Sequence, residues 1–191
     1  WESQCHKLAR NTGGKFKSPE VMECSALFEA AKEFDSAANG QDLVSALFKF
    51  GCICLTKIGT ALGPAASRII DGRSLQNRTS QYQEHLEGLI RIAESNSLTL
   101  VRSTLVNLAQ IHGAKVVRHE LFNEMLKSLR EFEIGDYASL EEAATAIRNR
   151  TRRTGRALGQ YVVSRTLLVK GLEFDHTIIL NSNHLDKKNL Y

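Results

Sequence analysis

The sequence predicts a mainly α-helical protein, with an array of about six helices followed by a small α/β piece that holds two parallel strands. From residue 18 to about residue 150, apolar residues recur at three- and four-residue steps, which is the period of helices with one buried face. Beyond residue 160 this period is lost, and two short runs rich in β-branched residues replace it. No segment repeats another at a fixed period, so a solenoid is not predicted.

The composition is that of a protein with a sizeable core. Hydrophobic residues make up 42% of the 191 residues, charged residues make up 24%, and the formal net charge is +4. This mildly basic balance permits contact with nucleic acid without requiring it. No apolar run reaches the roughly 18 residues that a membrane helix needs, so we expect a cytoplasmic protein with no membrane partner.

Two long helices are predicted at the start of the helical part. A Ser-Pro-Glu segment at 18–20 is a typical N-terminal signal, with a capping hydroxyl, a first-turn proline and an acidic residue. Asn39 and Gly40 end this helix, and Asp42 opens the next one. The apolar stripes are Val21, Cys24, Leu27, Phe28, Ala31 and Phe34 in the first helix, and Leu43, Leu47, Phe50, Cys54 and Ile58 in the second.

Further segments complete the helical part. A short helical turn is predicted between a break at Gly63-Pro64 and a stop at Asp71-Gly72. Three helices are predicted over 80–94, 98–111 and 118–132, and a last helix runs toward Arg150. The last helix starts with a capping box, Ser139 to Glu142, in which the hydroxyl and the carboxylate satisfy free backbone amides.

The four cysteines are not expected to bind a metal. Cys52 and Cys54 lie in an apolar run and are interpreted as small core residues. Cys5, next to His6, and Cys24 provide no second pair of ligands at the spacing of a zinc site. We therefore predict reduced thiols in an intracellular protein.

An arginine-rich stretch marks the end of the helical part. Five arginines occur within nine residues, and they are Arg148, Arg150, Arg152, Arg153 and Arg156. Two interpretations stay open. The run is either a solvated helix end, as most charge runs are, or a contact for the phosphates of a nucleic acid or a nucleotide.

Two strands are predicted near the C-terminal end, over 161–166 and 176–180, with a glycine-bearing connection between them. Two apolar strands joined in this way indicate the edge of a parallel sheet. Ligands of open α/β sheets bind beyond the carboxyl ends of the strands, where this connection begins. The connection is therefore the first place to look for a binding site.

Four residues at this connection have ligand-binding chemistry. Gly171 lets a ligand approach the backbone closely, and Lys170 places a mobile positive charge where a phosphate binds. Glu173 can accept hydrogen bonds from ribose hydroxyls or hold a basic partner, and Thr166 offers a hydroxyl and a backbone amide to a phosphate. The alternative is a plain strand–turn–strand in which these charges only cap the loop.

The same stretch resembles motif V of the UvrD/Rep-like superfamily-1 DNA helicases, whose usual form ends in K-G-L-E-F followed by D or P. Thr166 and the run from Lys170 to Phe174 supply the family's letters. The segment 187–191 is similar to the lead-in of the family's next motif. One residue departs from the pattern, because Leu168 replaces a histidine that often follows the threonine by two residues and faces the DNA strand.

The resemblance implies a fragment from the C-terminal half of an ATP-dependent DNA helicase or translocase, which is an ATP hydrolase. Residues 160–191 would be part of the second RecA-like P-loop NTPase domain, truncated before the family's arginine motif. Residues 18–159 would be the largely helical subdomain that these helicases insert just before motif V. Residues 1–17 would be a lead-in that belongs to the RecA-like domain.

The resemblance and the charge pattern assign two sets of binding residues. They are Lys170, Gly171 and Glu173 for the nucleotide, and Thr166, Arg165, Arg152 and Arg153 for single-stranded or partly duplex DNA. ATP and Mg²⁺ would be cofactors of the full-length protein, and its first RecA-like domain would be a partner. The fragment alone is expected to hold no cofactor and to be inactive, because Thr12-Gly-Gly-Lys15 lacks the spacing of a phosphate-binding loop.

A second hypothesis, from a different class, stays open. The parent protein would use a helicase-like fold as a regulatory or partner-binding module without motor activity, with the helical region as its interaction surface. An intact phosphate-binding loop upstream and an arginine motif downstream would favour the motor, and their loss would favour the module.

Overall fold

The computed structural model describes residues 5, 8, 11, 24–75, 82–154, 161–164 and 175–179. The chain divides into two compact units. One groups Trp1–Val21 with Leu158–Tyr191, and the other comprises Met22–Ala157. Nearly all of the described residues belong to the second unit, which we call the helical unit.

Seven helices make up most of the described part of the chain, which contains no β-strand. They are α1 (Cys24–Asp35), α2 (Gly40–Cys54), α3 (Ile58–Ile70), α4 (Gln83–Ser95), α5 (Thr99–Leu108), α6 (His119–Ile134) and α7 (Leu140–Thr154). The predicted mainly helical fold is confirmed. None of these described helices has the length and apolar character needed to cross a membrane.

Helix α2 lies at the centre of the helical unit and packs against α1, α3, α4, α5 and α6. Its predicted apolar stripe is buried, with at most 2% exposure at Leu43, Leu47, Phe50 and Cys54. The Phe50 ring meets the Phe34 ring of α1 edge-on, with centroids 6.3 Å apart. Burial of one large apolar side chain contributes about 1.5–3 kcal/mol, so this stripe supplies much of the core's stability.

Helix α1 packs against α2, α6 and α7. It buries Leu27, Ala31 and Phe34, as its predicted apolar stripe requires. The predicted start of this helix, at 18–20, lies outside the described residues. The predicted stripe is therefore confirmed at these three residues, while Phe28 is only partly buried against the core.

The junction between α1 and α2 differs from the prediction. Asn39 does not end α1, which stops at Asp35. Asn39 instead caps α2, because its Oδ1 accepts a hydrogen bond from Asp42 N at 2.9 Å. Asparagine is favoured there since its short side chain satisfies a free amide of the first turn. Helix α2 consequently begins at Gly40, ahead of the predicted start.

Gly40 is required by a close approach between two backbones. A Cβ atom at this position would lie 2.2 Å from the carbonyl oxygen of Ala93 and 2.6 Å from that of Ile92. The start of α2 therefore rests directly on the last turn of α4. Only a residue without a side chain fits at this distance.

We expect Gly40→Ala to lower the free energy of unfolding by about 1–3 kcal/mol, because the added methyl group forces α2 and α4 apart. Urea denaturation followed by circular dichroism measures the change. Gly63→Ala is the matched control, since a Cβ atom at Gly63 in α3 would meet nothing within 4 Å. The control should keep or slightly raise the stability. Equal stabilities of the two variants would contradict the close approach.

Two linkers bond to each other across the helical unit. Thr56 N, between α2 and α3, donates to Lys115 O at 2.9 Å. Val117 N, between α5 and α6, donates to Cys54 O at 2.8 Å. These hydrogen bonds form a short antiparallel bridge between Leu55 and Val116, so these two amides and two carbonyls have partners.

The predicted break at Gly63-Pro64 is wrong. Helix α3 runs from Ile58 to Ile70 with Pro64 inside it, although proline removes one helical hydrogen bond. The chain turns earlier, at Thr56, because that linker bonds to a segment 59 residues away. Ile58 is buried as predicted, but it opens α3 and does not continue the stripe of α2.

The predicted capping box is present at the start of α7. Ser139 Oγ accepts a hydrogen bond from Glu142 N at 3.1 Å. The Glu142 carboxylate accepts one from Ala138 N at 3.1 Å, one residue before the serine. Local sequence therefore sets this helix start.

Asp35, the last residue of α1, gives the same helix end a second cap. Its Oδ1 accepts a hydrogen bond from Leu140 N at 3.0 Å, and its Oδ2 accepts one from Glu141 N at 2.9 Å. The carboxylate also lies at the positive end of the α7 dipole. One side chain thus ties α1 to α7.

We expect Asp35→Ala to lower the free energy of unfolding by about 1–2 kcal/mol, because two amides at the start of α7 lose their acceptor. Thermal and urea denaturation measure the loss. Asp136→Ala is the control, since Asp136 is an exposed carboxylate between α6 and α7. If Asp35→Ala and Asp136→Ala lowered the free energy of unfolding by the same amount, Asp35 would act through its charge alone and not as a cap.

The two cysteines of α2 have different environments, so the prediction that both are core residues is wrong for one of them. Cys54 is fully buried, whereas Cys52 is exposed. Residues two apart on a helix point in nearly opposite directions, because each residue turns the helix by about 100°. Partial burial still raises the pKa of the Cys52 thiol above its usual value.

The two predicted strands, at 161–166 and 176–180, lie partly outside the described residues. The described parts, 161–164 and 175–179, form no strand. Ile178 and Ile179 are 87% and 58% exposed. Helices normally cover such side chains on both faces of a parallel sheet, so the parallel pairing stays a prediction.

Candidate functional site

The residues predicted to form the binding loop lie outside the part of the chain that the structure describes. They are Lys170, Gly171 and Glu173 on the nucleotide side, and Thr166 and Arg165 on the DNA side. The backbones of Arg152 and Arg153 belong to the last turn of α7, but their side chains are not described. All of these assignments stay predictions.

Arg148, the first residue of the arginine run, does not lie on a solvated helix end. Its side chain is 7% exposed, and its Nη1 lies 3.5 Å from Oε1 of Glu124 on α6, which is 12% exposed. Nε and Nη1 of Arg148 make no hydrogen bond to any described group. Charge attraction therefore holds the Arg148–Glu124 pair, with few hydrogen bonds to direct it. Because Arg148 is buried in this pair, it is not available to bind a phosphate.

Arg150 occupies a different environment on the same helix. Its Nη1 lies 3.1 Å from Oε1 of Glu131, and the two side chains are 60% and 21% exposed. Exposed ion pairs of this kind contribute about 1 kcal/mol or less. The two arginines of the run whose side chains are described thus form one buried and one surface ion pair, both with α6.

We expect Arg148→Met to lower the free energy of unfolding by about 3–5 kcal/mol, because it leaves the Glu124 carboxylate buried without a compensating charge. Adding Glu124→Leu should recover most of this loss, since replacing both members of a buried pair is often neutral. Arg150→Met is the surface control, with an expected loss below about 1 kcal/mol. Urea denaturation of all variants tests this, and equal losses at Arg148 and Arg150 would contradict a buried pair.

A polar cleft between α4 and α5 was not anticipated from the sequence. It has a volume of about 360 Å³ and is open to solvent. Its lining residues are Glu84, Glu87, Gly88 and Arg91 on α4, and Leu100, Ser103, Thr104 and Asn107 on α5. On each helix these are positions i, i+3, i+4 and i+7, so one face of each helix forms a wall.

Thr104 is the most deeply placed residue of this cleft and is 4% exposed. A Cβ atom at Gly88 would lie 3.0 Å from Thr104 Oγ1, so the glycine keeps the two helices close at this point. Polar residues at helical spacing were visible in the sequence. The same spacing is typical of any solvated helix face, and only the packing of α4 on α5 turns it into a cleft.

Within the described ranges, no three histidine, cysteine, aspartate or glutamate side chains converge as metal ligands would. Comparisons of the chain with known protein families, curated proteins and solved structures gave no match.

Proposed function

We propose that the chain is part of an ATP-dependent DNA helicase or translocase of the UvrD/Rep-like family. The observation that carries this proposal is the uninterrupted run Lys-Gly-Leu-Glu-Phe at 170–174, followed by Asp175. The threonine is a weaker match. Thr166 precedes Lys170 by four residues, whereas the family's usual spacing is five. The sequence match therefore supports the DNA contact of Thr166 less strongly than it supports the nucleotide contacts of Lys170, Gly171 and Glu173.

The organisation of the chain supports this proposal. The helical unit, Met22–Ala157, is one continuous stretch, and the chain segments before and after it group into a single second unit. A domain inserted into another domain produces this arrangement. In the UvrD/Rep-like family, a largely helical subdomain is inserted just before motif V, which begins in this chain close after the helical unit ends.

The finer assignment is a partial RecA-like domain at 160–191, with parallel strands at 161–166 and 176–180. In this proposal, helices on the faces of the complete sheet would cover the exposed side chains of Ile178 and Ile179. The first RecA-like domain of the parent protein would then form the other half of the nucleotide cleft.

In this proposal Lys170 contacts a phosphate of ATP–Mg²⁺, Gly171 allows the close backbone approach, and Glu173 accepts hydrogen bonds from the ribose. Arg148 is held by Glu124, so the DNA-phosphate contacts of the arginine run fall to Arg152 and Arg153. Phosphoryl transfer further needs a phosphate-binding loop and an arginine, which the proposal places in the parent protein.

The test is ATP hydrolysis by the full-length parent protein, with and without single-stranded DNA. We expect DNA-stimulated turnover that falls at least tenfold in Lys170→Ala and in Glu173→Ala, because each removes a contact to the nucleotide. Lys32→Ala and Glu29→Ala are the matched controls, since both residues are exposed on α1. They should keep the wild-type rate.

Absence of turnover in a folded parent protein would reject the motor. It would leave the alternative, a helicase-like module that regulates or binds a partner through its helical region. Full activity in both motif variants would instead show that the loop lies outside the nucleotide cleft.

A further inference from the structure

We infer that Glu131 on α6 competes with nucleic-acid phosphates for Arg150, so that α6 lowers the affinity of the arginine run for nucleic acid. The inference rests on the proposed contact of this run with DNA, and it names a control on that contact. Three observations carry it. They are the different burial of the two described arginines, the geometry of the Arg150–Glu131 pair and the place of Arg150 on α7.

The arginine run holds one fixed and one exchangeable arginine. Arg148 and its partner Glu124 are 7% and 12% exposed, so a ligand in solvent has little access to this guanidinium. Arg150 is 60% exposed, so a ligand reaches its guanidinium directly. Breaking a buried ion pair is costly, whereas an exposed pair is weak and exchanges readily. Of these two arginines, only Arg150 can therefore change partners while the core stays intact.

The anchoring of α7 does not need the Arg150–Glu131 pair. Among the described side chains of α7, the buried apolar ones are Leu140, Ala143, Ala144 and Ile147. The start of the helix is also capped by Asp35 of α1. Since all of these contacts precede Arg148, Arg150 can leave Glu131 while α7 stays packed on α1 and α6.

Glu131 provides a competing acceptor for this guanidinium. Its side chain is 21% exposed, and its Oε1 accepts a hydrogen bond from Nη1 of Arg150 at 3.1 Å. A carboxylate that is mostly removed from water attracts a positive charge more strongly than a fully solvated one. Guanidinium binds carboxylate and phosphate oxygens in the same forked geometry. Glu131 and a phosphate are therefore alternative partners of the same side chain.

Arg150 lies next to the arginines that are assigned to DNA. The backbones of Arg152 and Arg153 follow it within one turn of α7. A strand bound at these residues brings its phosphates beside Arg150. Glu131 opposes this contact in two ways, because it occupies Arg150 and because its own negative charge repels the phosphates.

The experiment measures the affinity of the 191-residue chain for a fluorescein-labelled oligothymidylate. Fluorescence anisotropy at about 0.1 M salt gives the dissociation constant. We expect Glu131→Gln to raise the affinity about two- to fivefold, because the exposed ion pair no longer has to be broken. Glu133→Gln is the matched control. It removes the same charge from α6, but its partner, Arg102 on α5, lies outside the run, so it should raise the affinity clearly less.

Two further measurements separate the release of Arg150 from a general loss of negative charge. In the Arg150→Gln background, Glu131→Gln should change the affinity no more than Glu133→Gln does. In the wild-type chain, an NMR titration with oligothymidylate should shift the Nε–H resonance of Arg150 and leave that of the buried Arg148 unchanged. A melting temperature for each variant shows that it is folded.

Three results would overturn the inference. One is an equal gain of affinity in Glu131→Gln and Glu133→Gln, and another is a gain in Glu131→Gln that persists in the Arg150→Gln background. The third is no binding of oligothymidylate by the wild-type chain or by Glu131→Gln. That last result would also reject the DNA contact of the arginine run, whereas ATP hydrolysis by the variants at Lys170 and Glu173 decides the helicase proposal separately.

Discussion

The helical unit depends on one helix, α2, that packs against most of the others. Helix α2 packs against five of the six other described helices, so its positions are restricted to apolar or small residues wherever a neighbour approaches. Gly40 allows its first turn to rest on α4, and Phe50 contacts α1 through the ring of Phe34. Helix α7 is joined to this arrangement through α1 and α6, by the carboxylate of Asp35 and by the Arg148–Glu124 pair.

Local patterns were sufficient to predict that most of the helices exist and which face of α2 is buried. Leu43 and Leu47 lie one turn apart and both are buried, because period alone decides which face of a central helix meets the core. The end of α2 was not predictable in this way. Its linker is fixed by a hydrogen bond from Thr56 to Lys115, and a partner so far along the chain leaves no local signal. Pro64, in contrast, is a strong local signal that the tertiary structure overrides.

The candidate sites show the same division between local and distant information. The motif at 170–174 is a contiguous string of letters, so it was recognisable without any knowledge of the fold. Arg148 belongs to a charge run that is usually solvated, yet Glu124 on the preceding helix draws it into the interior. The cleft exists only because the face of α4 with Gly88 packs on the face of α5 with Thr104. Each face taken alone is indistinguishable from an ordinary solvent-exposed surface.

The bridge between the two linkers also has a kinetic meaning. The hydrogen bonds that join Thr56 and Lys115 close a loop of 59 residues that contains α3, α4 and α5. Closing such a loop costs conformational entropy before the contacts inside it are gained, and contacts of long sequence separation slow folding. While the bridge is intact the two ends of this loop stay together, so the end of α2 stays next to the start of α6.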